Sequence, residues 1–295
     1  MRTEKIKVER VSLGSLIGDM EQGRLRIPRF QREFVWERKR IQTLLDSMYK
    51  EYPIGTIFLW KAPTKYNHLL RDVSDLQQPP LEKGGNYTLI LDGQQRLTSL
   101  YAVIKGWTIE GEDYSKIVVD LSTDNADFQY RTPDNQRWVA IRDLLGGNHY
   151  PIYDQLSSEY RQRFISCREL LNNYPFSVVT VNEMEIDDAI EIFERINQQG
   201  RRLSRYDLIA ATVLTDTFDL RERSQQDIVE KLTEFGSIAE TSIPQALSLI
   251  IRGNTEHGTQ LSLTPEEVEA HWETTVDCFM LAVDFVRSNL GVLSH

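Results

Sequence analysis

The five residues Asp92-Gly93-Gln94-Gln95-Arg96 sit between an apolar run, "YTLIL", and an amphipathic one, "RLTSLYAVIKG". The first run reads as a buried strand and the second as a helix closed by Gly106. A helix start leaves backbone N–H groups unpaired and carries positive partial charge. Gly93 lets a ligand approach the backbone, because it has no Cβ. Arg96, in the first turn, can grip two phosphate oxygens at once. Gln94 and Gln95 can donate to oxygens or hold a water. Together these residues can form an anion cradle. Asp92, at the strand end, can hold a metal ion such as Mg²⁺ or a ribose hydroxyl, or it can cap the helix. A phosphate site and a capped structural turn both satisfy this spacing.

Two further stretches carry polar chemistry. In "RIPRFQREFVW", Arg29, Gln31 and Arg32 are interleaved with Phe30, Phe34 and Trp36. Two arginines three apart beside aromatics can bind phosphate and stack on a base. They can also be an edge whose aliphatic stems cover aromatic surface. In "FERINQQGRRLSRYDL", a helix runs into a loop holding Asn197, Gln198, Gln199 and Gly200, and a new helix starts near Ser204. This geometry receives anions, and it is also an ordinary helix–loop–helix turn.

Other chemistries find little support. The histidines at 68, 149, 257, 271 and 295 form no HExxH, HxH or Cys/His zinc spacing. GxxxxGK[ST] and GxSxG are absent. Cys167 and Cys278 lie far apart in helical contexts and read as buried free thiols. With 40% apolar and 26% charged residues over 295 positions, the chain has the balance of a soluble globular protein. No apolar stretch is long enough to span a membrane, and the charged N-terminus lacks the apolar block of a signal peptide, so a cytoplasmic location is expected. The net charge of −10 argues against a general nucleic-acid coat. Locally the sign reverses: Arg24 to Arg40 holds seven basic and two acidic residues. A solvated helix end accounts for Arg38, Lys39 and Arg40.

The elements that must position these residues give an α+β fold. A small mixed sheet with flanking helices is expected from residues 1–150, and a mainly helical region from 151–295 that completes the cleft. The boundary is soft, because "FSVVTV" can return to the sheet. "VERVSLGSLIGDMEQG" reads as a helix ending near Gly23. "ERKRIQTLLDSMYKEY" reads as a helix with Ile41, Leu44, Leu45 and Met48 on its inner face. "IGTIFLWK", "YTLILD" and "SKIVVDLS" read as strands.

"IPRFQREFVW", "DGQQR" and "FERINQQGRRLSRYDL", in that order, resemble the segments of the GmrSD-type domain of modification-dependent (type IV) restriction and phage-defence proteins. That family belongs to the ParB/sulfiredoxin-like fold group. The resemblance runs from about residue 10 to 215. It implies that Asp92, Gln94, Gln95 and Arg96 are catalytic in hydrolysis of a nucleoside triphosphate, GTP or ATP, with Mg²⁺ at Asp92. It implies that Gly93, Arg29, Gln31, Arg32, Asn197 and Gly200 bind the nucleotide in one cleft. Phe30 and Gln31 would sense the DNA modification, although Phe30 replaces the family's usual tyrosine and lacks its hydroxyl. No HNH-like spacing appears. Cleavage is therefore expected in a nuclease domain beyond His295 or in a partner subunit, and a homodimer is one expected assembly. Two function classes follow: a nucleotide-hydrolysing sensor that gates cleavage of modified DNA, or a non-enzymatic module that binds DNA or a partner through the same cleft.

Overall fold

The computed structural model describes residues 5–27, 37–69, 79–80, 85–109, 111–147, 149–182, 184–185, 188–189, 191–192, 195, 205–215 and 217–291. The chain divides into two compact units, residues 1–189 and 190–295.

The first unit opens with β1 (Ile6–Ser12), α1 (Leu13–Glu21), β2 (Leu25–Arg26) and α2 (Arg38–Tyr49). Next come β3 (Thr56–Lys61), β4 (Thr88–Asp92) and α3 (Gln94–Lys105). A short hairpin, β5 (Thr108–Ile109) and β6 (Glu112–Asp113), leads to β7 (Ile117–Asp120), β8 (Phe128–Tyr130) and β9 (Trp138–Ala140). Helices α4 (Ile141–Leu145), α5 (Tyr150–Gln155) and α6 (Ser158–Asn172) precede β10 (Pro175–Asn182).

Five strands form a mixed sheet in the order β1-β10-β3-β4-β2. β10 runs antiparallel to β1 and parallel to β3, and β3 runs antiparallel to β4. "FSVVTV" thus lies inside the sheet of the first unit. The centres of β3 and β4 are buried on both faces, as their unbroken apolar runs require. The expected inner face of α2, Ile41, Leu44, Leu45 and Met48, is buried. Helix α3 is buried at ten of its twelve positions; Arg96 and Lys105 are the exceptions.

Three expectations are corrected. "VERVS" is strand, not helix: its β-branched residues pair with β10, and the helix starts only where Ser12 caps it by accepting from the Ser15 amide at 3.2 Å. "IVVD" is a strand of a different sheet, the centre of an antiparallel three-stranded one ordered β8-β7-β9. Cys167 is buried, and burial pushes its thiol up to about 12. Cys278 is free but exposed, contrary to expectation, because little of the last helix beyond Thr275 is covered.

The second unit is helical where described. It contains α7 (Arg205–Thr212), α8 (Leu220–Ser224), α9 (Ser242–Arg252), α10 (His257–Leu261) and α11 (Pro265–Leu290). A Thr264/Glu267 capping box starts α11. Its Trp272 is buried against Phe218 and donates to Asp227 Oδ2 at 2.8 Å. Among the described residues no helix is long and apolar enough to cross a membrane.

Asp120 ties the small sheet to its loops. It accepts from Arg137 Nη2 at 2.6 Å and from the Ser122 amide at 2.8 Å. Burial alone would raise its pKa, but these bonds outweigh it and hold the carboxyl at about 2, below its ordinary 3.8. The folded value lies below the unfolded one, so the stabilisation is complete above about pH 4 and lost as pH falls toward 2. Asp120→Asn should therefore lower Tm at neutral pH, with the gap from wild type closing between pH 4 and 2 in thermal melts. A gap independent of pH would contradict this.

Candidate functional site

Strand β4 ends at Asp92 and α3 begins at Gln94, with Gly93 between them. Gly93 has φ +85°, and a Cβ there would run into Ile57 Cδ1. This left-handed position against β3 requires glycine on both counts. Gly93 is the N-cap of α3, with no side-chain hydrogen bond to the helix start. Asp92 does not cap the helix. Its Oδ2 instead accepts from Arg96 Nη2 at 3.3 Å, one turn on.

Arg96 is largely withdrawn from solvent, its side chain 16% exposed. Its Nη1 donates to the Ile54 carbonyl and its Nη2 to the Thr56 carbonyl at 2.8 Å. The Ile54 carbonyl belongs to the connection between α2 and β3, and Thr56 is the first residue of β3. Gly55 lies between them at φ +89°, and a Cβ there would sit 2.5 Å from Arg96 Nη1. Tyr174 pins the same connection by donating to the Tyr52 carbonyl at 2.6 Å. Burial lowers the Arg96 pKa from its usual value, and the neighbouring Asp92 carboxylate opposes that shift. The planar fork thus spans two backbone acceptors and a carboxylate, a geometry lysine does not reproduce.

Gln94 and Gln95 are buried, at 5% and 9% exposure. Arg96 also lines a cavity of about 520 Å³, together with Glu37, Lys39, Arg40, Thr43, Leu44, Ser47 and Ile54. Lys39, Thr43 and Ser47 form one stripe of α2 at four-residue spacing. Each hydroxyl donates to the carbonyl four residues before it: Thr43 to Lys39 at 2.9 Å and Ser47 to Thr43 at 2.8 Å. Their oxygens remain as acceptors. Lys39 and Arg40 are exposed and form no ion pair among the described residues. Arg38 differs: its Nε lies 2.6 Å from Glu112 Oε2, and its guanidinium covers the Tyr130 ring.

Lys39 and Arg40, which the sequence presents as a solvated helix end, are therefore candidate residues, as are Thr43 and Ser47, which sequence reasoning missed. The i, i+4, i+8 polar stripe of Lys39, Thr43 and Ser47, turned away from Ile41 and Leu45, was the available signal. Arg29, Phe30, Gln31 and Arg32 lie outside the described residues, as do Asn197 and Gly200, so one cleft uniting all three motifs remains an expectation. Unpaired cations in a cavity that Arg96 also lines fit a phosphate group. Asp92 is a single carboxylate, and among the described residues no three His, Cys, Asp or Glu side chains converge. That donor set suits a Mg²⁺ drawing most of its ligands from phosphate and water.

Gly93→Ala should destabilise the protein by about 2 kcal/mol from backbone conformation alone, with a further loss from the Ile57 collision. Adding Ile57→Val removes the colliding Cδ1. The double variant should melt above Gly93→Ala and below Ile57→Val. If Ile57→Val gives no recovery in thermal melts, the packing account of Gly93 is wrong.

Residues 13–214 match the model of the family described as GmrSD restriction endonuclease, N-terminal domain. The chain is also 26% identical over 283 residues to an uncharacterized protein of Methanocaldococcus jannaschii, covering 81% of this chain and 48% of that protein. It thus spans about half the length of the curated relative it matches. Asp92–Arg96 and four of the five strands of the larger sheet, all but β1, lie within the matched residues, which make up well over half of the sequence, and the chain belongs to the GmrSD restriction endonuclease N-terminal domain family.

Proposed function

We propose that the mouth of α3 and the adjoining cavity bind the polyphosphate of a nucleoside triphosphate, GTP or ATP. Hydrolysis there gates cleavage of modified DNA by a nuclease domain of a longer protein or by a partner subunit. The observation that carries this reading is the cavity, in which Lys39 and Arg40 stand unpaired among the described residues beside Arg96. A polyphosphate supplies the negative charge that these cations lack. In this reading Lys39 and Arg40 hold phosphate oxygens, while Gly93, closed over by Ile57, serves the turn into α3. Gln94 or Gln95 orients the attacking water. Asp92 holds Mg²⁺, which neutralises phosphate charge. Phosphoryl transfer is catalysed largely by such positioning and charge stabilisation. Phe30 and Gln31 are assigned to sensing the DNA modification, and Arg29, Arg32, Asn197 and Gly200 to the nucleotide.

One observation favours the second class. The Arg96 donors already serve Ile54, Thr56 and Asp92. If that role is wholly structural, the cavity binds DNA backbone phosphates and hydrolyses nothing.

The two readings separate in one set of assays. Nucleotide affinity is measured by calorimetry, and phosphate release is followed with each of the four NTPs, with and without modified DNA. Removing one charge-assisted contact costs roughly 1.5–3 kcal/mol, about tenfold or more in affinity. Lys39→Ala and Arg40→Ala should each weaken nucleotide binding to that extent. Their Tm should not change, since both side chains are exposed. Unchanged nucleotide affinity together with weakened DNA binding would replace the first reading by the second.

A further inference from the structure

Strand β1 ends the five-stranded sheet, and its outer edge has no partner among the described residues. Two bonds flanking its ladder fix which residues face outward. The Asn182 amide donates to the Lys5 carbonyl at 2.9 Å, and the Leu13 amide donates to the Tyr174 carbonyl at 3.1 Å. In an antiparallel pair, hydrogen-bonded and non-bonded positions alternate. With Ile6 opposite Val181 and Ser12 opposite Pro175, the odd-numbered residues bond to β10. Ile6, Val8 and Arg10 turn their N–H and C=O groups to the free edge. This edge is seven residues long and contains no proline. Val8 is 70% exposed and Ile6 46%. Such an edge is a template for another strand.

We propose that β1 pairs with β1 of a second copy of the chain, antiparallel about a two-fold axis at Val8, joining the two five-stranded sheets into one. The charge pattern selects both partner and register. Outward-facing residues must oppose outward-facing residues, which leaves registers centred on Lys7, Val8 or Glu9 within the middle of the strand. Centring on Lys7 opposes lysine to lysine, and centring on Glu9 opposes glutamate to glutamate. Centring on Val8 sets Lys7 against Glu9 of the second copy, and Glu9 against its Lys7. Both pairs fall at non-bonded positions, where side chains across the ladder approach most closely. Lys7 Nζ already lies 2.7 Å from Glu9 Oε2 within one copy, so pairing produces an alternating quartet. On the opposite face Val8 meets Val8, covering the most exposed apolar side chain of the strand. The interface is self-complementary, as two-fold symmetry requires.

The test is light scattering and sedimentation of the full chain over a wide concentration range. Wild type should approach twice the single-chain mass at high concentration. Glu9→Lys sets like charges opposite each other at both pairs and should return the mass to that of one chain. Exchanging the charges, Lys7→Glu with Glu9→Lys, restores opposite pairs and should restore the dimer. Val8→Pro removes an N–H that does not serve β10, so it should abolish the dimer and leave the circular dichroism spectrum unchanged. If Val8→Pro fails to fold, the charge variants alone decide. A wild type at single-chain mass throughout overturns the proposal. So does a dimer that survives Val8→Pro, or a charge exchange that fails to restore what Glu9→Lys removes.

Discussion

The guanidinium of Arg96 is the interaction on which the candidate site depends. The connection from α2 to β3 has left-handed backbone at Glu51 and Gly55 and follows no regular ladder. Carbonyls that such a backbone leaves out of a ladder can take donors from side chains. Arg96 supplies them to Ile54 and Thr56, and Tyr174 supplies one to Tyr52. Gly55 must then be glycine, since a Cβ would meet the guanidinium. Gly93 must be glycine because Ile57, one residue beyond Thr56, packs against it. The end of β4, the start of α3 and the start of β3 therefore form one interlocked unit.

That interlock shapes the cavity. Ile54 lines it because Arg96 fixes the Ile54 backbone, and Arg96 lines it with the remainder of its own side chain. The opposite wall is α2, whose inner residues are held by the core. A rigid apolar anchor on one face of α2 thus presents Lys39, Arg40, Thr43 and Ser47 on the other. Sites built on such elements are placed more precisely than sites on loops.

Much of the fold was legible because local patterns agreed with burial. α2 carried its apolar residues at helical spacing, β4 was an unbroken apolar run bounded by Asp92-Gly93, and Gly106 closed α3 where expected. The first strand was missed because "VERVSLGSLI" is apolar at both strand and helix spacings. Only its pairing with β10, which lies more than 160 residues away in sequence, decides between them. The same non-locality hid the second sheet, since no pattern within "KIVVD" says which strands flank it. At the site, spacing placed Arg96 at the helix mouth. Its bonds to Ile54 and Thr56 span about forty residues, and no local pattern encodes them. The reading of Asp92 as a helix cap failed because the side chain turned to Arg96 instead. An i, i+4 carboxylate–arginine pair was visible in the sequence from the start.

The charges favour the proposed small anion over a duplex in this cavity. The chain carries −10 overall, a field that repels an extended polyanion at distances comparable to the Debye length, about 8–10 Å at ordinary salt. The cavity wall reverses that sign, with Lys39, Arg40 and Arg96 against Glu37. A compact polyphosphate can lie wholly within the reversed patch. A duplex must extend across acidic surface as well, and its affinity depends on how many phosphates are neutralised. Arg96 is already partly neutralised by Asp92, which leaves Lys39 and Arg40 as the main uncompensated charge. If a nucleotide binds there as proposed, raising the salt concentration should weaken it through the α2 cations more than through the arginine of the strand–helix motif.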